Sequence, residues 1–171
     1  IFLGYLYKMI YPKTKVVVTF HGSDITTHIN GGLNQKIFKF LSKCIDVPIA
    51  VGEDLANEIT NKLELKVKEI ISAGVNQDVF KPLRLNKKYD FIFVGSFIHR
   101  KGLDLLLKAI EIIDDKKIRY CIVGSGELEQ DVINVQKNNT ITLLKNQSQQ
   151  QLCELYNQSK YFTLPSRNEP F

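Results

Sequence analysis

Apolar residues come in short bursts along this chain, and the polar residues between them fall largely at helical spacing. Seven bursts have strand length: KVVVTF (15–20), VPIAV (47–51), VKEIIS (67–72), YDFIFVG (89–95), IRYCIVG (118–124), TITLL (140–144) and KYFTLP (160–165). Helical patterns separate most of them. In LDLLLKAIEII (103–113), Leu103, Leu106, Leu107, Ile110 and Ile113 mark one face, and Asp104, Lys108 and Glu111 mark the other. SQQQLCELYNQ (148–158) opens on Ser148 with Gln151 three residues on, the signature of a capping box. Continuous apolar strands alternating with helices predict the α/β class, with parallel sheets covered on both faces.

The segment GVNQDVFKPLRLNKK (74–88) breaks the rhythm with turn residues, Pro82 and a lysine pair. It predicts a junction: residues 1–83 in one domain, 84–88 as linker, 89–171 in a second. Each side carries three or four strands, where a doubly wound domain has about five or six. The chain therefore reads as the back of one Rossmann-like domain and the front of another, both incomplete. Such a middle piece of a longer protein is expected to be poorly stable by itself. Its last apolar run, YFTLP, reads as a buried strand leading into a charged turn with Arg167, Asn168 and Glu169.

Composition narrows the class of partner. Of 171 residues, 44% are hydrophobic and 24% charged, values of a globular protein with a sizeable core. The net charge of +5 is spread over many lysines interrupted by acids. It suits an anionic ligand or peripheral association with an acidic membrane surface, although a solvated lysine-rich face accounts for any single patch. The basic-aromatic interleaving of nucleic-acid binders is missing, so no nucleic-acid partner is expected. Cys44, Cys121 and Cys153 lie far apart in apolar stretches with no CxxC, which predicts reduced core thiols in a cytoplasmic protein. The opening IFLGYLYKMIY is too short for a membrane span and lacks a signal-peptide layout, so it reads as a helix whose start lies upstream.

Ligands of doubly wound sheets sit at the carboxyl ends of the strands, and four such ends carry chemistry here. After VVVTF, His21 is followed by Gly22, which permits close backbone approach, and Asp24, which could orient a polar partner. A capping turn is the plainer account of this stretch. A metal site from His21, Asp24 and His28 lacks a helical HExxH spacing, and none is expected. After FIFV, Gly95 and Ser96 turn the chain, and Arg100 and Lys101 precede a helix opening at Gly102. Basic residues are unfavourable at a helix N-terminus unless an anion offsets them, so the pair predicts a diphosphate site. After YCIV, Gly124 and Gly126 start a dinucleotide-like fingerprint, but Glu129 stands at its third glycine, which argues against NAD. After YFTLP comes Glu169, a residue type that in a turn is more often solvated than a ligand. Together the four ends would suit a phosphorylated sugar.

The ordered set HGSD, SAGVNQDVFKP, VGSFIHRKGLDLLLKA, IVGSGELE and ELYNQSKYFTLPSRNEPF resembles the retaining GT-B glycosyltransferases of family four, the group 1 transferases. The resemblance runs from about Val16 to Phe171. It implies transfer of a sugar from a nucleotide-diphosphate sugar to a sugar or lipid-linked acceptor hydroxyl, with retention of configuration and no metal or cofactor. It implies an enzyme of polysaccharide or glycolipid synthesis in the cytoplasm, at the inner face of the membrane. It further implies that Glu169 matches the first Glu of an E-x7-E motif and contacts the donor sugar. Lys101, with Arg100, would stabilise the leaving diphosphate, and His21 would face the donor sugar across an interdomain cleft. Gly95, Ser96, Gly124 and Gly126 would join Arg100 and Lys101 at the donor, with Gly22 and Asp24 elsewhere in the cleft. Two departures stand out: Ser96 where many members have Arg, and Ala73 where Asn is common. A sugar-nucleotide epimerase of the same plan and a non-catalytic nucleotide-sugar-binding module are the rival readings.

Overall fold

All seven apolar runs carry a strand: β1 Val17–Phe20, β2 Val47–Ala50, β3 Glu69–Ile70, β4 Tyr89–Val94, β5 Tyr120–Val123, β6 Ile141–Leu144 and β7 Ser159–Phe162. The computed structural model describes every residue except Ser23, Asp24, Thr26, Thr27, His28, Asn30, Asn168, Pro170 and Phe171. The described residues form two units, Ile1–Gly74 and Val75–Glu169, and each has its own sheet. Every strand pairing in both sheets is parallel. The class is α/β, as the alternation predicts.

The unit boundary precedes the linker expected at 84–88. The physical reason is that the polar segment before β4 is committed to the second unit. The Leu83 amide donates to Asn157 Oδ1 at 2.7 Å, and Asn157 Nδ2 donates to the Lys81 carbonyl at 3.0 Å. Lys87 Nζ donates to the Asn157 and Ser159 carbonyls, both at 2.8 Å. A cation at helix-terminal carbonyls satisfies acceptors that the helix leaves unpaired. A composition that reads as a spacer is therefore used as a strap.

In the first unit the sheet order is β1-β2-β3. Helices α1 (Phe2–Ile10), α2 (Gly32–Ser42) and α3 (Glu53–Leu63) accompany it. Phe20, Ile25, Ala50, Leu55, Ile59 and Leu63 form the heart of its core. Asp46 ties α1 to the sheet, accepting from Lys8 Nζ at 2.7 Å and from the Val16 amide at 2.8 Å.

In the second unit the order is β6-β5-β4-β7. Alternation along the strands sends side chains to opposite faces. Phe91, Phe93, Tyr120 and Ile122 pack with α4 (Leu103–Ile113) and α5 (Glu129–Gln136). Ile92, Cys121 and Val123 pack with Leu155 of α6 (Gln149–Asn157). Both faces are covered, which is why β5 is apolar throughout. The capping box of α6 forms: the Gln151 amide donates to Ser148 Oγ at 3.2 Å, and the Ser148 amide donates to Gln151 Oε1 at 2.8 Å. The three cysteines are buried free thiols, and burial pushes Cys121 up to about 11.

Two expectations fail locally. Ile113, on the predicted apolar face of α4, is 55% exposed, because the packed stripe ends at Ile110. The YFTLP run is a sheet edge rather than a buried strand: β7 pairs on one side only, Tyr161 and Phe162 are exposed, and Leu164 and Pro165 lie beyond the strand.

That edge, with the exposed Phe2, Leu3, Leu6, Met9 and Ile10 of α1, presents apolar surface and unpaired strand groups to solvent. The isolated 171-residue chain is expected to self-associate at micromolar concentration. Light scattering after gel filtration checks this, and a stable monomer is the contrary result.

Candidate active site

The second unit contains a topological switch point. From β4 the chain runs outward through β5 to β6, then returns to place β7 on the other side of β4. The carboxyl ends of β4 and β7 thus lie side by side at a switch point, the place where open α/β sheets bind ligands. The loop after β4 supplies Gly95, Ser96, Arg100 and Lys101 to this end of the sheet. The loop after β7 supplies Ser166, Arg167 and Glu169.

The β4 loop is held from below. Phe97 is fully buried in the core, its amide donates to the Ser125 carbonyl at 2.8 Å, and its carbonyl accepts from the Leu128 amide at 3.0 Å. A 3₁₀ turn, His99–Lys101, follows and passes through Gly102 into α4. Gly102 has φ of +72°, and a Cβ there would lie 1.8 Å from the Pro165 carbonyl oxygen. Only glycine lets the β7 loop come this close.

The two loops are joined by charge. Lys101 Nζ donates to Glu169 Oε1 at 2.6 Å and to Oε2 at 2.8 Å. Both side chains are partly buried, with 21% and 27% of their surface exposed, so screening by water is incomplete. Burial opposes ionisation of Glu169, but hydrogen bonds from Lys101 and Ser166 and the charges of Lys101 and Arg100 outweigh it. The carboxyl is held below its ordinary value. The cation expected to require an external anion is therefore met by a carboxylate from the neighbouring loop.

A second bridge runs beside the first. Arg167 Nη1 and Nη2 donate to Asp104 Oδ1 and Oδ2, each at 2.8 Å, and Nη1 also donates to the His99 carbonyl. His99 Nδ1 lies 3.5 Å from Asp104 Oδ2. Sequence reasoning missed this pair: Asp104 was assigned only to a solvent face, and no linear pattern joins residues 63 apart.

The remaining candidates divide. Gly95, Ser96 and Gly124 line a hollow of about 250 Å³ with Ser125, Asn146 and Gln147, at the ends of β4, β5 and β6. Gly124 (φ +148°) and Gly126 (φ +150°) also permit close packing, since Cβ atoms there would meet the carbonyl oxygens of Gly95 at 2.0 Å and Phe97 at 2.7 Å. Their backbone therefore shapes the β4 loop. In the first unit, exposed His21 follows β1 and Gly22 is buried with φ of +110°. Asp24 and His28 lie outside the described residues. No cluster of three metal-ligating side chains occurs among the described residues. Nor is any described helix long and apolar enough to cross a membrane.

Three aspartates set an acid limit. Asp46 (through Lys8 and Val16) and Asp90 (through Lys160 and Arg119) are lowered from 3.8 to about 2, and the Arg167 hydrogen bond lowers Asp104 further. Folded values below the ordinary one mean stability that is complete above about pH 4 and lost as pH falls through the folded values. The urea midpoint of the full-length protein should thus hold steady from pH 7 to about pH 4 and fall toward pH 2. A midpoint that rises in that acid window is the contrary result.

The second unit is thus a parallel α/β unit with Lys101, Arg100 and Glu169 at its switch point, where open α/β sheets bind ligands. Residues 75–171, beginning where the second unit begins, match the model of the glycosyl transferases group 1 family, and the chain belongs to that family. A protein of Methanocaldococcus jannaschii described as an uncharacterised glycosyltransferase is 31% identical over 159 residues, 91% of this chain and 43% of that protein. The chain thus spans less than half the length of this relative. Among solved structures, Anabaena HepE in complex with UDP and glucose superposes with a TM-score of 0.78 at 16% identity, over 99% of this chain and 51% of that one. Sucrose-phosphate synthase from Thermosynechococcus elongatus gives 0.74 at 17%, over 98% and 49%. The catalytic domain of starch synthase IV from Arabidopsis thaliana, bound to ADP and acarbose, gives 0.68 at 14%, over 99% and 50%. These neighbours are GT-B glycosyltransferases, and the chain shares their fold.

Proposed function

We propose that the protein containing this chain transfers a sugar from a nucleoside-diphosphate sugar to an acceptor hydroxyl, with retention of configuration. The observation that carries this reading is the Lys101–Glu169 pair at the switch point of the family-matched unit. It is supported by relatives solved with UDP and glucose or with ADP and acarbose. In the reaction the bond between the anomeric carbon and the diphosphate oxygen breaks, the acceptor oxygen bonds to the same face of the sugar, and the acceptor hydroxyl proton passes to the departing diphosphate. Negative charge collects on the departing diphosphate while the sugar becomes oxocarbenium-like. Lys101 and Arg100 stabilise that departing charge, an effect strongest where water is largely excluded. Glu169, released from Lys101 as the diphosphate takes its place, turns to the hydroxyls of the donor sugar. The electrostatic work falls to these side chains, with no metal or cofactor required.

The test is incubation of the full-length protein with UDP-, GDP- and ADP-sugars and a panel of sugar and lipid-linked acceptors. Release of the nucleoside diphosphate should match formation of a glycoside of retained configuration. Binding of nucleotide sugars without transfer would point to a non-catalytic module, and an inverted product would overturn the stereochemical part.

A further inference from the structure

We infer that Arg167 is a positioning residue: its bridge to Asp104 keeps the loop after β7 docked on the His99–Lys101 turn, so that Glu169 stays at the switch point when its contact with Lys101 opens. The inference rests on the proposed function and adds a residue to it.

Two ion pairs of opposite polarity join the same two segments. One runs from Lys101 on the turn to Glu169 on the loop, and the other from Asp104 on α4 to Arg167 on the loop. The first uses groups proposed to meet the ligand, and must open or be shared when a diphosphate reaches Lys101. The second has no such competitor. Asp104 lies in the first turn of α4, where a negative charge is favoured by the helix dipole. That turn is anchored by the buried Leu103, Leu106 and Leu107. Arg167 meets Asp104 with both guanidinium nitrogens, a planar fork that fixes direction as well as distance.

A backbone contact points the same way. The Arg167 amide donates to the Arg100 carbonyl at 2.9 Å. Glu169 is two residues beyond Arg167. Because a residue spans at most about 3.6 Å, holding Arg167 confines Glu169 to within about 7 Å of it. When a diphosphate occupies Lys101, the side-chain tie that remains between loop and helix is the Arg167 bridge, beside the backbone contact to Arg100. Its loss should appear in turnover and leave diphosphate affinity untouched.

The experiment uses the full-length protein with Arg167→Ala, Arg167→Lys, Asp104→Asn and the exchange Arg167→Asp with Asp104→Arg. For Arg167→Ala and Asp104→Asn, kcat should fall about tenfold or more, since misplacement by 1 Å costs up to about a hundredfold. The Kd for free UDP, GDP or ADP should stay within about twofold, and Arg167→Lys and the exchange should recover part of the loss. Hydrogen exchange in a peptide covering residues 163–169 should accelerate about tenfold in Arg167→Ala, with global exchange elsewhere unchanged. The exchange measurement needs no activity: wild-type protein that transfers no sugar fails the functional reading, whereas unchanged loop exchange fails the docking role. Wild-type kcat in Arg167→Ala, or a diphosphate affinity that falls in step with kcat, overturns the inference.

Discussion

Replacing Lys101 by alanine in the full-length protein is expected to weaken nucleoside-diphosphate binding tenfold to a hundredfold and to slow sugar transfer at least as much. A hydrogen bond from an ammonium to phosphate is worth about 1.5–3 kcal/mol, and each 1.4 kcal/mol is about tenfold. The resting structure moves the value within that range in two opposing ways. Lys101 pairs with Glu169, so the phosphate replaces a partner instead of filling a gap. Removing Lys101 also leaves the Glu169 carboxylate facing the incoming anion alone, which adds repulsion. The double variant Lys101→Ala, Glu169→Ala separates the two: it should bind the diphosphate better than Lys101→Ala alone. Glu169→Ala by itself frees the lysine, so its diphosphate affinity should equal or exceed that of the wild type while transfer falls. Calorimetric titration with UDP, GDP and ADP, alongside turnover, tests the set. Unchanged affinity and turnover in Lys101→Ala would refute the phosphate site.

Gly102→Ala should damage both stability and turnover. Alanine at φ +72° is strained, and its Cβ would sit 1.8 Å from a backbone oxygen of Pro165, which has no flexible end to swing away. The loop after β7 has to retreat, and it carries Glu169 with it. A stability loss of about 1–3 kcal/mol is expected from strain at one such residue. A fall in turnover of about a hundredfold is expected from the displaced carboxylate. Urea denaturation and steady-state rates on the full-length variant measure both. Near-normal values would mean that the close approach of Gly102 and Pro165 is dispensable.

Much of the architecture was legible in one dimension. The seven strands, the α4 stripe from Leu103 to Ile110 and the α6 capping box depend on neighbours within a turn or a few residues, and local periodicity records them directly. The division at Gly74 and Val75 lies ahead of the polar segment because hydrogen bonding through Asn157 makes that segment a strap, which polarity by itself does not reveal. The burial of YFTLP was overstated because a run of apolar residues does not say whether a strand has one neighbour or two.

The candidate site follows the same division. His21, Lys101 and Glu169 stood out in the sequence because each follows a strand and bears a chemistry unusual for its place. What the sequence by itself determined was the α/β class, the parallel strands and the strand ends that carry charge, all consequences of short-range spacing. Only the tertiary structure decided that Lys101 and Glu169 are partners, that Gly102 admits the Pro165 carbonyl, and that Arg167 reaches Asp104. Those contacts depend on β7 crossing to the far side of β4, a choice made by packing across the whole sheet and written in no single stretch of residues.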